Sequence, residues 1–172
     1  SASGFLYKST DAGAGWSLSE RTLVTSDGFS GSYATSSRSV QASMVAGEGT
    51  AMETDYAYSR ARFAGDLEPA GKIGTEAGER TVRRLNPSKV ESGPMPVVFE
   101  PRVANSMLRH LAMAISGPAI ARNTSFLRKE MGEPVFGSGI TIVDDPHRKR
   151  GLGSRPFDGE GVATRRMNLV DG

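Results

Sequence analysis

Residues 16–61 read WSLSERTLVTSDGFSGSYATSSRSVQASMVAGEGTAMETDYAYSRA, and this stretch decides the fold of the first half of the chain. Apolar and polar residues alternate from Trp16 to Thr25, which is typical of a half-buried strand. Ser26-Asp27-Gly28 favours a tight turn, because Asp-Gly tolerates positive φ. Further strand-like runs extend from Phe29 to Ala46 and from Ala51 to Ala61. The pattern predicts an antiparallel meander of three strands.

A helix and then a boundary follow the predicted meander. Between Leu67 and Leu85, apolar residues recur at steps of three and four, which indicates an amphipathic helix. The stretch from Asn86 to Pro96 contains three prolines and a glycine, so it is the best candidate for a boundary between structural units. We therefore predict that residues 1–88 end an N-terminal α+β domain and that residues 89–172 start a C-terminal domain, which is incomplete.

The second predicted unit mixes helices with buried strands, so the fold class of the whole chain is α+β. Proline at a first helical turn loses no hydrogen bond, and an apolar stripe follows it in the main helix of this unit. The expected elements are a buried strand Val97–Phe99, a helix Pro101–Ile115, a second helical segment Ala119–Met131, a buried strand Ile140–Val143 and a last strand Val162–Val170.

Composition and charge narrow the class of protein. The 172 residues include 21 basic and 19 acidic side chains and no cysteine. The formal net charge of +2 does not indicate general nucleic-acid binding, so nucleic acid is not expected as a partner. No run approaches the roughly 20 apolar residues that cross a bilayer. We expect a soluble, cytoplasmic protein that does not bind membranes.

The candidate functional stretch is residues 144–161, DDPHRKRGLGSRPFDGEG, which lacks apolar periodicity. Its prolines and glycines fix an irregular path, and such loops on rigid scaffolds carry function. The side chains that we select as contacts for a peptide or a partner are Asp144, Asp145, His147, Arg148, Arg155, Asp158 and Glu160.

Neither catalysis nor metal binding is predicted from these residues. His147 follows two carboxylates but has no second histidine nearby, so turn formation by Asp-Asp-Pro is favoured over a metal site. Asp158 and Glu160 could form an acid-base pair, but a polar turn before the last strand is favoured. His110, on the predicted helix, lacks a second ligand one turn on.

The cations of the same region support an alternative function. Arginine forks match both phosphate and carboxylate geometry, so this part of the chain could form an anion- or nucleic-acid-binding module. No aromatic residues are interleaved with the cations, which weakens the nucleic-acid version. The basic residues concerned are Arg148, Lys149, Arg150, Arg155, Arg165 and Arg166.

Several stretches resemble the TldD/PmbA family, whose members were once called modulators of DNA gyrase. The match is specific and runs in the expected order through nearly the whole chain beyond about Trp16. It rests on Gly139–His147 and Ser154–Gly161, and on the earlier segments Thr25–Phe29, Gly78–Arg80, Leu85–Pro87, Ala114–Gly117 and Ala121–Leu127.

The resemblance is to the PmbA (TldE) branch rather than to TldD. TldD-type chains carry a His-Glu-x-x-x-His zinc motif on the helix that corresponds to Pro101–Ile115, whereas this chain has Leu108–Ala114, LRHLAMA, in that place. The resemblance therefore implies a metallopeptidase family in which this chain is the non-catalytic subunit, with no cofactor of its own and with zinc in a TldD-like partner.

The resemblance also implies substrates and an assembly. The family activity is proteolysis of small unfolded or modified peptides, including their maturation, by a heterodimer; a homodimer stays open as an alternative. Family chains are much longer, so we expect a central fragment. Loop 144–161 is then a shaped connector between two buried strands of the second domain, near a peptide-handling surface.

Overall fold

The computed structural model describes residues 7–172, and these form two compact units. The first contains the residues up to Lys89 together with Asp144–Met167. The second contains Val90–Val143 and Asn168–Gly172. The chain leaves the first unit at the proline-rich stretch in which the sequence predicts a boundary. Contacts assign residues 144–167 to the first unit, however, whereas the sequence predicts them in the second.

The predicted three-strand meander is confirmed. Strands β1 (Tyr7–Val24), β2 (Ser30–Ala46) and β3 (Glu53–Ala61) pair antiparallel in that order. At the turn between β1 and β2, Gly28 has a φ of 98°, and its N–H donates to the carbonyl oxygen of Thr25 over 3.2 Å. Asp-Gly supplies the positive φ that such a tight turn needs.

The helix predicted over residues 67–85 is also confirmed, as α1 (Ala70–Arg83). It packs on β2 and β3, and the buried core lies between the helix and these strands. Ile73 and Thr81 are its largest fully buried side chains, and the hydroxyl of Thr81 donates to the carbonyl oxygen of Ala77 over 2.8 Å. The core cluster consists of Ala42, Ala57, Ile73 and Ala77, with Met44 packed against it.

The prediction of a half-buried strand from Trp16 to Thr25 is wrong, because the predicted apolar face, which includes Val24, is exposed. Trp16 is 77% exposed and Leu18 is 69% exposed, although both lie on the face of the sheet that includes Ala42. Because α1 covers β2 and β3 and meets β1 only marginally, the outer strand keeps its apolar face in solvent within the described residues.

The second unit has fewer regular elements than the sequence predicts. Helix α2 (Pro101–Ala114) is confirmed, but the next segment forms only a short helix, α3 (Gly117–Ala121). Asn123 has a φ of 57°, a left-handed conformation that ends a helix. The buried strand expected at Val97–Phe99 is absent from the described structure, and Val98 is 96% exposed.

Two short strands complete the described chain. Strands β4 (Ile142–Asp144) and β5 (Met167–Val170) form a two-stranded sheet. The prediction of two buried strands is wrong, because both are half-buried or exposed and β5 is shorter than expected. Within residues 7–172, no helix combines the length and the apolar character needed to cross a bilayer.

Candidate functional site

One arginine holds the loop of residues 144–161 against the sheet. Arg62 follows β3, and its Nε donates to the carbonyl oxygen of Gly151 over 3.0 Å. Its Nη2 donates to the carbonyl oxygens of Leu152 (2.8 Å) and Ser154 (3.4 Å). Its Nη1 donates to the carbonyl oxygen of Ser36 in β2 over 3.1 Å. The planar guanidinium of Arg62, which is far from the loop in sequence, therefore fixes the path of the loop.

A cluster of three aromatic rings anchors the same loop. The buried ring of Phe157 lies edge-on to Phe29, with centroids 5.0 Å apart, and to Tyr33, with centroids 5.1 Å apart. Gly31 permits this packing, because a Cβ there would lie 2.9 Å from both phenylalanine rings. Gly161, with a φ of 85°, faces the ring of Phe29, and a Cβ there would lie 2.7 Å from it.

Arg150 attaches the loop to the segment after β3 in a third way, through its positive charge. Its Nη1 lies 2.7 Å from a carboxylate oxygen of Asp66, and its guanidinium stands 4.8 Å from the ring centroid of Phe63. Both partners belong to the short segment after β3. An exposed ion pair contributes little to stability by itself, but the ring contact adds orientation.

The structure brings most of the sequence-selected residues to two cavities of the first unit. Asp144, Asp145, Arg148, Arg155 and Asp158 line a cavity of about 510 Å³. His147 lines a second cavity of about 640 Å³, and Arg155 also lines that cavity. Glu160 lines neither cavity.

Two of the selected carboxylates stabilise turns. Asp145 accepts a hydrogen bond from the backbone N–H of His147 at 3.0 Å. Asp158 accepts one from Glu160 at 2.9 Å and one from Val162 at 3.0 Å. These local bonds agree with the turn-forming alternatives that the sequence favours at both places.

A short hydrogen-bond chain orients His147. The hydroxyl of Thr164 donates to the carbonyl oxygen of Arg155 over 2.6 Å. Since a hydroxyl has one hydrogen to donate, the contact of 3.1 Å between His147 Nε2 and Thr164 Oγ1 places the proton on Nε2. The imidazole of His147 is therefore a donor to Thr164.

The described residues do not assemble a metal centre. Among them, no group of three or more histidine, cysteine, aspartate or glutamate side chains lies close enough to hold an ion. His110 is exposed on α2, and Leu111 and Ala114 are the buried residues of that helix.

Sequence reasoning missed the groups that hold the loop. Nothing in the sequence distinguishes Arg62 from other arginines near strand ends, because its four acceptors are backbone carbonyls. Phe157 did carry a signal. It is a single large apolar residue within a polar, proline- and glycine-rich loop, and such a residue needs a place to be buried.

Comparison with known proteins gives two family matches along the chain. Residues 5–85 match the PmbA/TldA metallopeptidase central domain, and residues 92–172 match the PmbA/TldA metallopeptidase C-terminal domain. The interval between the matches, residues 86–91, lies within the proline-rich stretch after α1.

Curated relatives show the same family. The chain is 35% identical over 150 residues to metalloprotease PmbA of Escherichia coli O157:H7, covering 87% of this chain and 33% of the relative. It is 36% identical over 146 residues to a metalloprotease PmbA homolog of Haemophilus influenzae, covering 85% of this chain and 32% of the relative. The chain thus spans about a third of the length of these relatives.

Solved structures share the fold. A Bacteroides thetaiotaomicron protein described as a modulator of DNA gyrase is 32% identical with a TM-score of 0.87, covering 92% of this chain and 36% of that chain. TldE from Thermococcus kodakarensis is 24% identical with a TM-score of 0.71, and the match covers 92% of this chain and 36% of the TldE chain. At this identity the match supports the fold alone. Since the two family matches together cover nearly the whole chain, this chain belongs to the PmbA/TldD family of metallopeptidases.

Proposed function

We propose that this chain belongs to a PmbA/TldE-type subunit that assembles with a TldD-type subunit into a zinc-dependent protease for small unfolded or modified peptides. In this proposal the partner holds the zinc and hydrolyses the peptide bond, and the complex contributes to peptide maturation in the cytoplasm. This chain contributes to the assembly and to peptide capture.

The observation that carries the proposal is the chemistry of α2. A zinc protease needs imidazoles on one helix face and a carboxylate that activates water. On α2 the residues from Leu108 to Ala114 provide one histidine, His110, followed by Leu111 and one turn on by Ala114. These residues do not fit a zinc site, so no step of the hydrolysis is assigned to this chain.

The loop of residues 144–161 is the part of the chain that we propose as a contact for the peptide or the partner. Arg62 and the ring of Phe157 fix its path, so its polar groups face the two cavities in a set arrangement. A preformed surface loses less conformational entropy when a partner binds.

The experiment compares the full-length protein alone, its TldD-type partner alone and the mixture. We expect a stable complex by size-exclusion chromatography, peptidase activity on an unfolded peptide only in the mixture, and abolition of that activity by a chelator. Elemental analysis should find zinc in the partner. Stoichiometric zinc in the protein of this chain, or full activity of the partner alone, would overturn the proposal.

A matched variant sharpens the same experiment. His110→Ala removes the imidazole of α2, whose side chain is exposed. If the metal belongs to the partner, both the zinc content and the rate of the complex should stay unchanged. A loss of zinc from the complex would assign His110 a ligand role and contradict the proposal.

The nucleic-acid alternative receives no specific support from the contacts. Arg150 is engaged with Asp66 and with the ring of Phe63, and the cavity that Arg148 and Arg155 line also contains carboxylates. Phosphate contacts make affinity fall steeply with salt, so a salt titration with labelled DNA tests this alternative.

A further inference from the structure

The larger of the two cavities that the loop lines has a one-sided charge. It is about 640 Å³ in volume and lies between the segment of β2 around Tyr33, the end of β3 and the loop. Three arginines line it, Arg62, Arg150 and Arg155, whereas no aspartate or glutamate of the described chain does. A cavity lined only by cations among its charged groups favours an anion.

Two of these three positive charges have no counter-charge. Arg150 is neutralised by Asp66 at 2.7 Å. Arg62 is half-buried, and the four groups that it contacts are neutral carbonyls. Within residues 8–172, whose side chains the structure describes, neither Arg62 nor Arg155 has a carboxylate within ion-pair distance. Residues 1–7 contain no acidic side chain.

The half-buried guanidinium of Arg62, which has no counter-charge, indicates that the cavity binds a ligand. Partly buried charges are costly unless they are paired, and the carbonyl partners of Arg62 satisfy its donors without neutralising it. A guanidinium has five N–H donors, and Arg62 makes four hydrogen bonds, so one Nη1–H is spare. An anion in the cavity would supply the missing charge.

The backbone of Arg155 is held in a set position. Its N–H donates to the carbonyl oxygen of Pro146 over 3.0 Å, and its carbonyl oxygen accepts the hydroxyl of Thr164 over 2.6 Å. Arg155 is exposed and lines this cavity as well as the smaller one. Since it forms no ion pair with the aspartates of the smaller cavity within the described residues, its fork is available to a bidentate acceptor.

We propose that this cavity binds a carboxylate, namely the C-terminal carboxylate of a peptide, with Arg155 as the direct ligand and Arg62 supplying the uncompensated charge. The assignment of the anion to a peptide rests on the proposed function. Tyr33 and Phe63 line the same cavity and give it apolar surface for the side chains next to that carboxylate.

The test uses the full-length protein without its partner and two peptides. Both are the same unstructured ten-residue sequence of glycine, serine, alanine and leucine with a tetramethylrhodamine at the N-terminus, one ending in a free acid and the other in an amide. Because a charge-assisted bidentate pair is roughly twice as strong as a neutral one, we expect the acid to bind about tenfold tighter by fluorescence anisotropy.

Matched variants assign the effect to the cavity. Arg155→Ala should abolish the preference for the acid, and Arg155→Lys should retain part of it, because a lysine keeps the charge but not the fork. Arg166→Ala is the control, since Arg166 is an exposed arginine of the same segment and lines neither cavity. Equal affinities for acid and amide, or equal losses in Arg155→Ala and Arg166→Ala, would overturn the proposal.

Inorganic phosphate distinguishes the other source of an anion. If millimolar phosphate displaces the acid peptide from the unmodified protein more effectively than acetate does, the site is a phosphate site and the peptide assignment fails. Because no partner, metal or turnover is involved, failure of this binding test leaves the proposed protease assembly untouched. If the two subunits fail to assemble, the result of the peptide-binding test can still be interpreted.

Discussion

The Nε of Arg62 donates to the carbonyl oxygen of Gly151 over 3.0 Å and thereby joins two residues 89 positions apart in the chain. The same guanidinium reaches Leu152 and Ser154, so one side chain at the end of β3 defines the turn at the centre of the loop. The loop conformation therefore depends on the sheet as well as on its own prolines and glycines.

Replacing Arg62 with alanine should release this loop. The change removes hydrogen bonds from a charged donor, and each such bond contributes about 1.5–3 kcal/mol to stability. Because Arg62 is only half-buried, the total loss should be smaller than the sum of these contributions. We expect trypsin to cleave after Arg148, Lys149 and Arg150 about tenfold faster, because local opening rises with lost stability. Limited proteolysis followed by mass spectrometry measures this rate.

Two further substitutions control the Arg62 experiment. Arg62→Lys keeps the charge but loses the planar fork, so it should behave more like Arg62→Ala than like the unmodified protein. Arg21→Ala, at an exposed arginine of β1, should leave the loop protected. Equal cleavage rates in all four proteins would contradict the role of Arg62.

The contact between Gly31 and the Phe157 ring predicts a coupling between two substitutions. Gly31→Ala alone would place a methyl group 2.9 Å from two rings and should cost about 1–3 kcal/mol of unfolding free energy. Phe157→Ala alone should cost about 3–5 kcal/mol. The double variant should lose less than the sum, because removing the ring makes room for the methyl group.

Urea unfolding of the four proteins of this cycle gives the coupling energy. The matched cycle replaces Gly31→Ala by Gly65→Ala, where no atom lies within 4 Å of the added Cβ. That cycle should be additive. If the losses of unfolding free energy also add in the Gly31 cycle, the rings of Phe29 and Phe157 move away from the added methyl group at no cost.

The elements that could be predicted are those in which apolar residues recur with a clear period. Alternation along β2 and the three- and four-residue steps of α1 identified those elements with small errors at their ends. The exposure of Trp16 could not be predicted, because alternation assigns a residue to a face and does not say how far a helix covers that face. In the second unit, the short apolar run Val97–Phe99 had no period, and no strand formed there.

The site was predictable only where its contacts are local. The turn roles of Asp145 and Asp158 follow from bonds to residues two to four positions away, and sequence favoured them. The cavity of Arg62 and Arg155 depends on contacts between segments about 90 positions apart, which no local pattern encodes. The selected contacts with a peptide or partner remain predictions.

The turn between β1 and β2 gives a prediction about pH. The hydroxyl of Thr25 donates to the carboxylate of Asp27, and this bond, with help from the backbone N–H groups of Asp27 and Phe29, lowers the pKa of the Asp27 carboxyl below its ordinary value. A lowered pKa in the folded state stabilises the fold above the pKa of the unfolded chain, and this contribution is lost as the pH falls through the folded value.

Thr25→Val removes the side-chain donor, so the pKa of Asp27 should rise toward its ordinary value and the turn should lose part of its acid sensitivity. A carboxyl-carbon NMR titration of the full-length protein measures the pKa directly. Ser26→Ala lies in the same turn and should leave the Asp27 titration where it is. An unshifted Asp27 in Thr25→Val would show that the backbone donors alone set its pKa.

One buried side chain dominates the contact of α1 with the sheet. Ile73 is 1% exposed and is the largest apolar side chain that is fully buried in the described core, where its neighbours are alanines. The alanine side chains cannot fill a void, and Met44 lies at the edge of the cluster, so Ile73→Ala should cost about 2–5 kcal/mol of unfolding free energy and Ile73→Val about 0.5–1.5 kcal/mol. Lys72→Ala, one position earlier, removes an exposed pair with Glu68 and should change stability by less than about 1 kcal/mol. Urea titrations of the three variants rank them, and a cost for Ile73→Ala no larger than that for Lys72→Ala would show that α1 is not held by this side chain.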